Sequence, residues 1–143
     1  MTIKPRVVRA LKDARTRLRD VAAAAHSTAV ASAERTGEFL AQEEDTLEVA
    51  LDAAPASLAA ARTVYDLEDV GEDTGVYRIA VADAAAKHAS AVKHTETTAS
   101  QLQVRARQLR VAERLVERVE THHARREASA EQRGSDDLAA RRR

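Results

Sequence analysis

Histidines and carboxylates are the side chains here whose types suggest chemistry. There are five histidines. His88 and His94 lie six apart, so on a helix they project from different sides; the i, i+4 spacing of a helical zinc pair is missing. His122 and His123 are adjacent and diverge by about 100° around a helix axis. Glu43-Glu44-Asp45 and Glu68-Asp69 offer paired carboxylates. No apolar surround separates their proton affinities, as acid–base catalysis requires. Asp73-Thr74-Gly75 spells a tripeptide that carries a catalytic carboxylate in strand-rich proteases, but no strand pattern accompanies it. Gly71 and Gly75 precede Val76 rather than a Lys-Ser/Thr pair, in an acidic stretch that repels phosphate. There is no cysteine, hence no thiol nucleophile, disulfide or thiolate metal site. The expectation is a non-enzyme with no catalytic, metal or cofactor-binding residues.

What must position any functional side chain is a pair of long helices. Alanine, the best helix former, dominates the composition, while aromatics make up 2%. The chain therefore favours helix strongly but has little apolar area for a core. The spacing predicts an all-α fold, a long antiparallel two-helix coiled-coil hairpin forming one domain over 1–143. Helix 1 is expected over about 5–68, opening at Pro5, with a kink near Pro55. The turn is expected at 70–75, where two of the four glycines cluster, with Asp52–Pro55 as the competing place. Helix 2 is expected over about 76–132, followed by a frayed basic tail over 134–143. Apolar residues recur mostly at steps of 3, 4 or 7: Val8, Leu11, Leu18, Ala22, Ala29, Ala33, Leu40, Leu47, Leu51, Ala54 and Leu58 in the first arm. Ala25 belongs to the same row, and the second arm has Ala85, Val92, Ala99, Leu102, Ala106, Leu109, Val116 and Val119. These rows are the expected seam.

The charges sort along the chain. Residues 1–33 carry seven Lys/Arg against two Asp/Glu, residues 34–75 two against twelve, and residues 76–143 fourteen against nine. Folding at the centre would bring two basic ends together and leave the acid toward the turn. Basic rows such as Lys4, Arg6, Arg9, Lys12 and Arg15 could grip phosphates. Yet the chain is neutral overall, has no aromatic side chains placed to stack on bases, and interleaves Glu113, Glu117 and Glu120 among the arginines of the second arm. Nucleic acid is therefore not the expected partner. No apolar run approaches the roughly 18–20 residues of a membrane span. The basic N-terminal stretch lacks the apolar core of a secretory signal. The expected location is the cytoplasm.

Near the end of the second arm the residues become specific. Glu131-Gln132-Arg133-Gly134-Ser135-Asp136-Asp137-Leu138-Ala139 resembles the closing signature of the FliJ/YscO family, roughly E-Q-x-x-x-D-[DE]-L-A, and Glu113-Arg114-Leu115-Val116-Glu117-Arg118 is similar to its charged approach. Gly134-Ser135 departs from the usual residues there. A second similarity is Tyr77, Val81, Ala84 and His88, spaced i, i+4, i+7 and i+11 like the family's contact stripe for the export gate. The same spacing suits seam residues, with Tyr77 capping the turn. The resemblance covers the chain in architecture and about its last thirty residues by motif. It implies a cytoplasmic stalk protein of bacterial type III export, flagellar or injectisome, associated peripherally with the inner-membrane apparatus. Such a stalk inserts into the hexameric export ATPase and links it to the membrane-embedded export gate, and it can escort export chaperones. The residues expected to face the ATPase are Arg6, Arg9, Arg15, Arg17, Arg19, Arg110, Arg114, Arg118, Glu131, Gln132, Asp136, Asp137 and Leu138. The rival reading is a generic coiled-coil adaptor or dimerising scaffold, and behind it a basic nucleic-acid-associated helical protein.

Overall fold

The computed structural model describes the backbone of residues 4–141 and the side chains of residues 4–136. Two helices account for nearly all of it, α1 (Pro5–Ala60) and α2 (Val64–Arg141). They pack against each other as an all-α helical hairpin without strands among the described residues.

The turn is at residues 61–63, not at 70–75. The reason is a capping box. The Asp66 backbone N–H donates to the Thr63 hydroxyl (3.2 Å), and the Asp66 carboxylate accepts from the Thr63 N–H and the Arg62 N–H (2.8 Å each). Reciprocal bonds of this kind satisfy the donors that a helix start leaves open. They also hold the Asp66 carboxyl below its ordinary value, chiefly through the Arg62 N–H and then the Thr63 N–H. Gly71 and Gly75 are ordinary helical residues, since no glycine has a positive φ. Glycine costs a helix only about 1 kcal/mol and ends one chiefly when it turns left-handed. Asp66 is the acid in the first turn of α2, where the helix dipole favours negative charge, and Glu68, Asp69, Glu72 and Asp73 follow within the helix.

Pro55 lies inside α1 as expected, rather than at a turn over Asp52–Pro55, and the helix continues past it to Ala60. Lacking an N–H, Pro55 leaves one carbonyl of the preceding turn without its helical donor, a loss tolerable so near the C-terminus. At the other end, α2 does not stop near residue 132 but runs through Gly134 to Arg141, so the described part of the basic tail is helix. Residues 142 and 143 lie outside the described residues.

The chain divides into two compact units. The arm-end unit comprises Met1–Ala23 and Ser100–Arg143, and the turn-side unit comprises Ala24–Ala99. In the arm-end unit the positions that lose solvent are Val8, Lys12, Arg15, Arg19 and Ala22 on α1, and Leu102, Arg105, Leu109, Ala112, Val116 and Val119 on α2. In the turn-side unit they are His26, Ala29, Ala33, Thr36, Leu40 and Leu47 on α1, and Tyr77, Val81, Ala84, His88, Ala91, Thr95 and Thr98 on α2. Alternating steps of 3 and 4 are a heptad seam. Most of the expected row lies on it, Ala54, Ala99 and Ala106 included, with exceptions. Leu11, Leu18, Leu51, Leu58 and Val92 are exposed, and Lys12, Arg15 and Arg19 take seam positions instead. Long basic side chains can do this because their methylene stems cover apolar surface while the charged heads reach water.

Candidate partner interface

The arm-end unit is basic. It carries 18 Lys/Arg against 9 Asp/Glu. Its core is small, with Val8, Leu109 and Ala112 the buried apolar residues. Around them the arginines sort into tied and free. Arg9 Nη2 lies 2.7 Å from Glu120 Oε1, joining α1 to α2. Arg19 pairs with its neighbour Asp20 at 2.6 Å, and its Nε is buried without a hydrogen-bond partner. Arg15 Nη1 donates to Gln108 Oε1 at 2.7 Å, and Arg105 Nη1 donates to the same oxygen at 3.2 Å. Two half-buried guanidinium groups thus converge on one neutral acceptor. No carboxylate among the described residues pairs with either.

Of the residues expected to face an ATPase, Arg6, Arg9, Arg17, Arg110, Arg114 and Arg118 are exposed, and Arg15 and Arg19 are half-buried in the seam. All eight belong to this unit. Glu131, Gln132 and Asp136 are exposed on the continuing α2, within a fully exposed run over 124–136. The side chains of Asp137 and Leu138 lie outside the described ones. Interleaved with arginines in sequence, Glu113 and Glu117 form no ion pair among the described residues, whereas Glu120 reaches across to Arg9.

The turn-side unit is the reverse, with 5 Lys/Arg against 14 Asp/Glu. Its buried residues are small: Ala29, Ala84 and Thr98. Small seam residues let helices approach closely but contribute little area each. Two polar layers cross this seam. His26 Nδ1 is 3.1 Å from Thr98 Oγ1, and His88 Nδ1 is 3.2 Å from Thr36 Oγ1. Each threonine hydroxyl also reaches a carbonyl one turn back on its own helix, Thr98 to His94 and Thr36 to Ser32. A hydroxyl has one proton. When it goes to the carbonyl, the ring Nδ1–H donates to the oxygen; otherwise the ring nitrogen accepts.

Of the two readings of Tyr77, Val81, Ala84 and His88, a gate-contact stripe or seam residues, the burial matches the seam, although Tyr77 lies well past the turn at 61–63. They face α1: Ala84 is fully buried, and His88 bonds to Thr36. The residue that makes room for His88 is Gly37. A Cβ there would sit 3.1 Å from His88 Cε1. The sequence reading gave no functional role to Gly37, Thr36, Thr98 or Gln108. The signal for the histidine pairs was available in the heptad phase, since His26, Thr36, His88 and Thr98 all fall on the 3–4 repeat that includes Ala29 and Ala84. Thr63-x-x-Asp66 was a readable capping box. Nearer the turn, Val49, Leu51, Leu58, Val64, Tyr65 and Leu67 are exposed.

Among the described residues no group of three or more His, Cys, Asp or Glu is placed to hold a metal ion. Among them, too, no helix is long and apolar enough to cross a membrane. No family model, curated protein or solved structure matches this chain.

Proposed function

We propose that this hairpin is a non-enzymatic coupling stalk of a bacterial type III export apparatus. Its basic arm-end unit would dock into the hexameric export ATPase, its turn-side unit would lie toward the export gate, and it would escort export chaperones. The apparatus lies at the cytoplasmic face of the inner membrane, with which the stalk associates peripherally. The observation that supports this reading is the charge division within one hairpin, 18 basic residues against 9 acidic in the arm-end unit and 5 against 14 in the turn-side unit. The similarity of Glu131–Ala139 to the closing signature of the FliJ/YscO family adds to it. Attraction between a basic end and acidic loops of a ring sets orientation and association rate more than affinity. Because Ala84 and His88 are occupied by packing against α1, the gate contact is not assigned to them.

The test is stimulation of a cognate export ATPase by this protein, with the full chain compared against deletion of residues 131–143. Stimulation by the full chain that the deletion removes supports the reading; no stimulation by the full chain refutes it. Docking should also weaken steeply as ionic strength rises toward the physiological value, where charges about 8 Å apart become screened. A second reading is a dimerising scaffold, in which exposed apolar residues nearer the turn, Leu51, Leu58 and Leu67, would pair between copies. Sedimentation separates the two readings, since the stalk is a monomer of 15.5 kDa and the scaffold a dimer.

A further inference from the structure

The arm-end unit carries its larger apolar side chains on the outside. Val7, Leu11, Leu18 and Val21 are exposed on α1 at steps of 4, 7 and 3, which is one helical face. Val104 and Val111 are exposed on α2, seven apart. Leu11 of the first row and Val111 of the second line one groove of about 270 Å³, with Ala112, Leu115, Arg15, Arg107 and Gln108. The mismatch with the seam is the informative point. Lys12, Arg15 and Arg19 occupy positions between the helices, while leucines that would fill those positions better face solvent. Exposed apolar rows on two neighbouring helices, rimmed by charge, form a surface that a third helix can cover.

The charges narrow the occupant. Arg15, on the groove wall, shares the neutral Gln108 oxygen with Arg105, and neither is paired to a carboxylate among the described residues. Arg107 lines the same groove. The surrounding unit has twice as many basic as acidic residues, 18 against 9. A second copy laid face to face would bring these arginines against their equivalents, so like charge opposes it. A nucleic-acid backbone would satisfy the arginines but leave Leu11, Val111 and Leu115 without an apolar partner. We infer that this groove is a docking site for an acidic amphipathic helix of a partner protein, with apolar side chains at i, i+3/i+4 and i+7 seated on the two rows and carboxylates meeting Arg15 and Arg107. The inference does not depend on the export reading, and its test uses no export component.

The experiment uses the full chain and a fluorescent synthetic helix of about six turns, with leucines along one stripe and glutamates elsewhere, compared with its isomer bearing lysines in place of the glutamates. Anisotropy should show binding of the acidic helix and at least about tenfold weaker binding of the basic one. Val111→Ser and Arg15→Gln should each weaken the acidic helix severalfold, while Val49→Ser in the turn-side unit should leave it unchanged. Circular dichroism checks that each variant keeps its helix content. A readout that needs no loss of packing is thiol protection. The chain has no cysteine, so Val104→Cys and Val49→Cys give single reporters, and the acidic helix should slow alkylation at 104 alone. Equal affinity for the two helices, binding unaffected by Val111→Ser and Arg15→Gln, or protection at 49 instead of 104 would each overturn the proposal. So would a dimer of the free chain in sedimentation that Val111→Ser dissociates, or tighter binding of a labelled DNA duplex than of the acidic helix.

Discussion

The arm-end and turn-side units use the same heptad spacing to opposite ends. In the first, Val8 and Leu109 supply buried area, and arginines with long stems complete the seam. In the second, Ala29 and Ala84 supply almost no area, and two His–Thr layers cross between the helices. An apolar layer tolerates sliding by a turn, since one leucine site resembles another. A histidine whose ring nitrogen must meet a particular hydroxyl does not. The comparison suggests a division of labour in which the arm-end unit contributes more of the stability and the turn-side unit fixes the register. Polar seam residues act in this way in coiled coils, at a cost in stability.

The largest expected effect tests the first half of that division. Leu109→Ala should lower unfolding stability by about 2–4 kcal/mol, as for other buried leucine truncations. Ala84→Gly in the other unit should cost about 1 kcal/mol. Urea titration followed by circular dichroism measures both, and equal effects would undo the contrast. Next in size is Thr98→Val, which keeps the shape but leaves His26 Nδ1 without its partner. A loss of about 1–2 kcal/mol is expected, together with broadened distances between spin labels on the two helices of the turn-side unit. An unchanged distance distribution would mean that the histidine layers do not set register.

Smaller effects distinguish the glycines. A Cβ at Gly71 or Gly75 meets nothing within 4 Å, and neither residue has a positive φ. Alanine at either should raise stability by about 0.5–1 kcal/mol. At Gly37 the same change pushes the His88 ring by a few tenths of an ångström, so its gain should be smaller. The deficit should vanish in a His88→Ala background, and thermal melts of the four-member cycle read it directly. The smallest effect concerns pH. Asp66 is held below its ordinary value of 3.8 by the Arg62 and Thr63 backbone N–H groups. Its contribution to the turn is therefore fully present above 3.8 and is lost as pH falls through the lower folded-state value. The stability difference between the natural chain and Asp66→Asn should shrink as pH falls from 5 toward 2. A difference that stays constant across that range would exclude the capping carboxylate as its source.

Much of the architecture was legible. Alanine content, heptad steps and the absence of strand patterning specified two long helices folded as a hairpin, and Pro5 marked the first helix start. The turn was not, because glycine clustering outweighed a four-residue capping signature. Gly71 and Gly75 are permissive, whereas Thr63 and Asp66 make specific bonds, and specific bonds decide where a helix begins. The error in the turn carried into the seam. Moving the reversal from about residue 73 to residue 62 changes every cross-helix partner, so that His26 meets Thr98 and Arg15 meets Gln108. The face expected on each helix mostly held, but Leu11, Leu18, Leu51 and Leu58 lie off it, exposed. Tyr77, Val81, Ala84 and His88 were correctly seen to share one face, but spacing alone does not say whether a face meets solvent or a neighbouring helix.

Helix α2 keeps going after Glu120, the residue that grips Arg9, and over 124–136 every side chain is open to water. A single helix of that length in water is marginal by helix–coil energetics. Its amides should trade protons with solvent far sooner than those flanking Leu109, and trypsin should cut first at Arg125, Arg126 and Arg133. A partner that clasps this segment would gain a long reach for first capture and would give up affinity to the ordering it imposes. The bound complex would then show itself as a band of protease resistance that the free chain lacks.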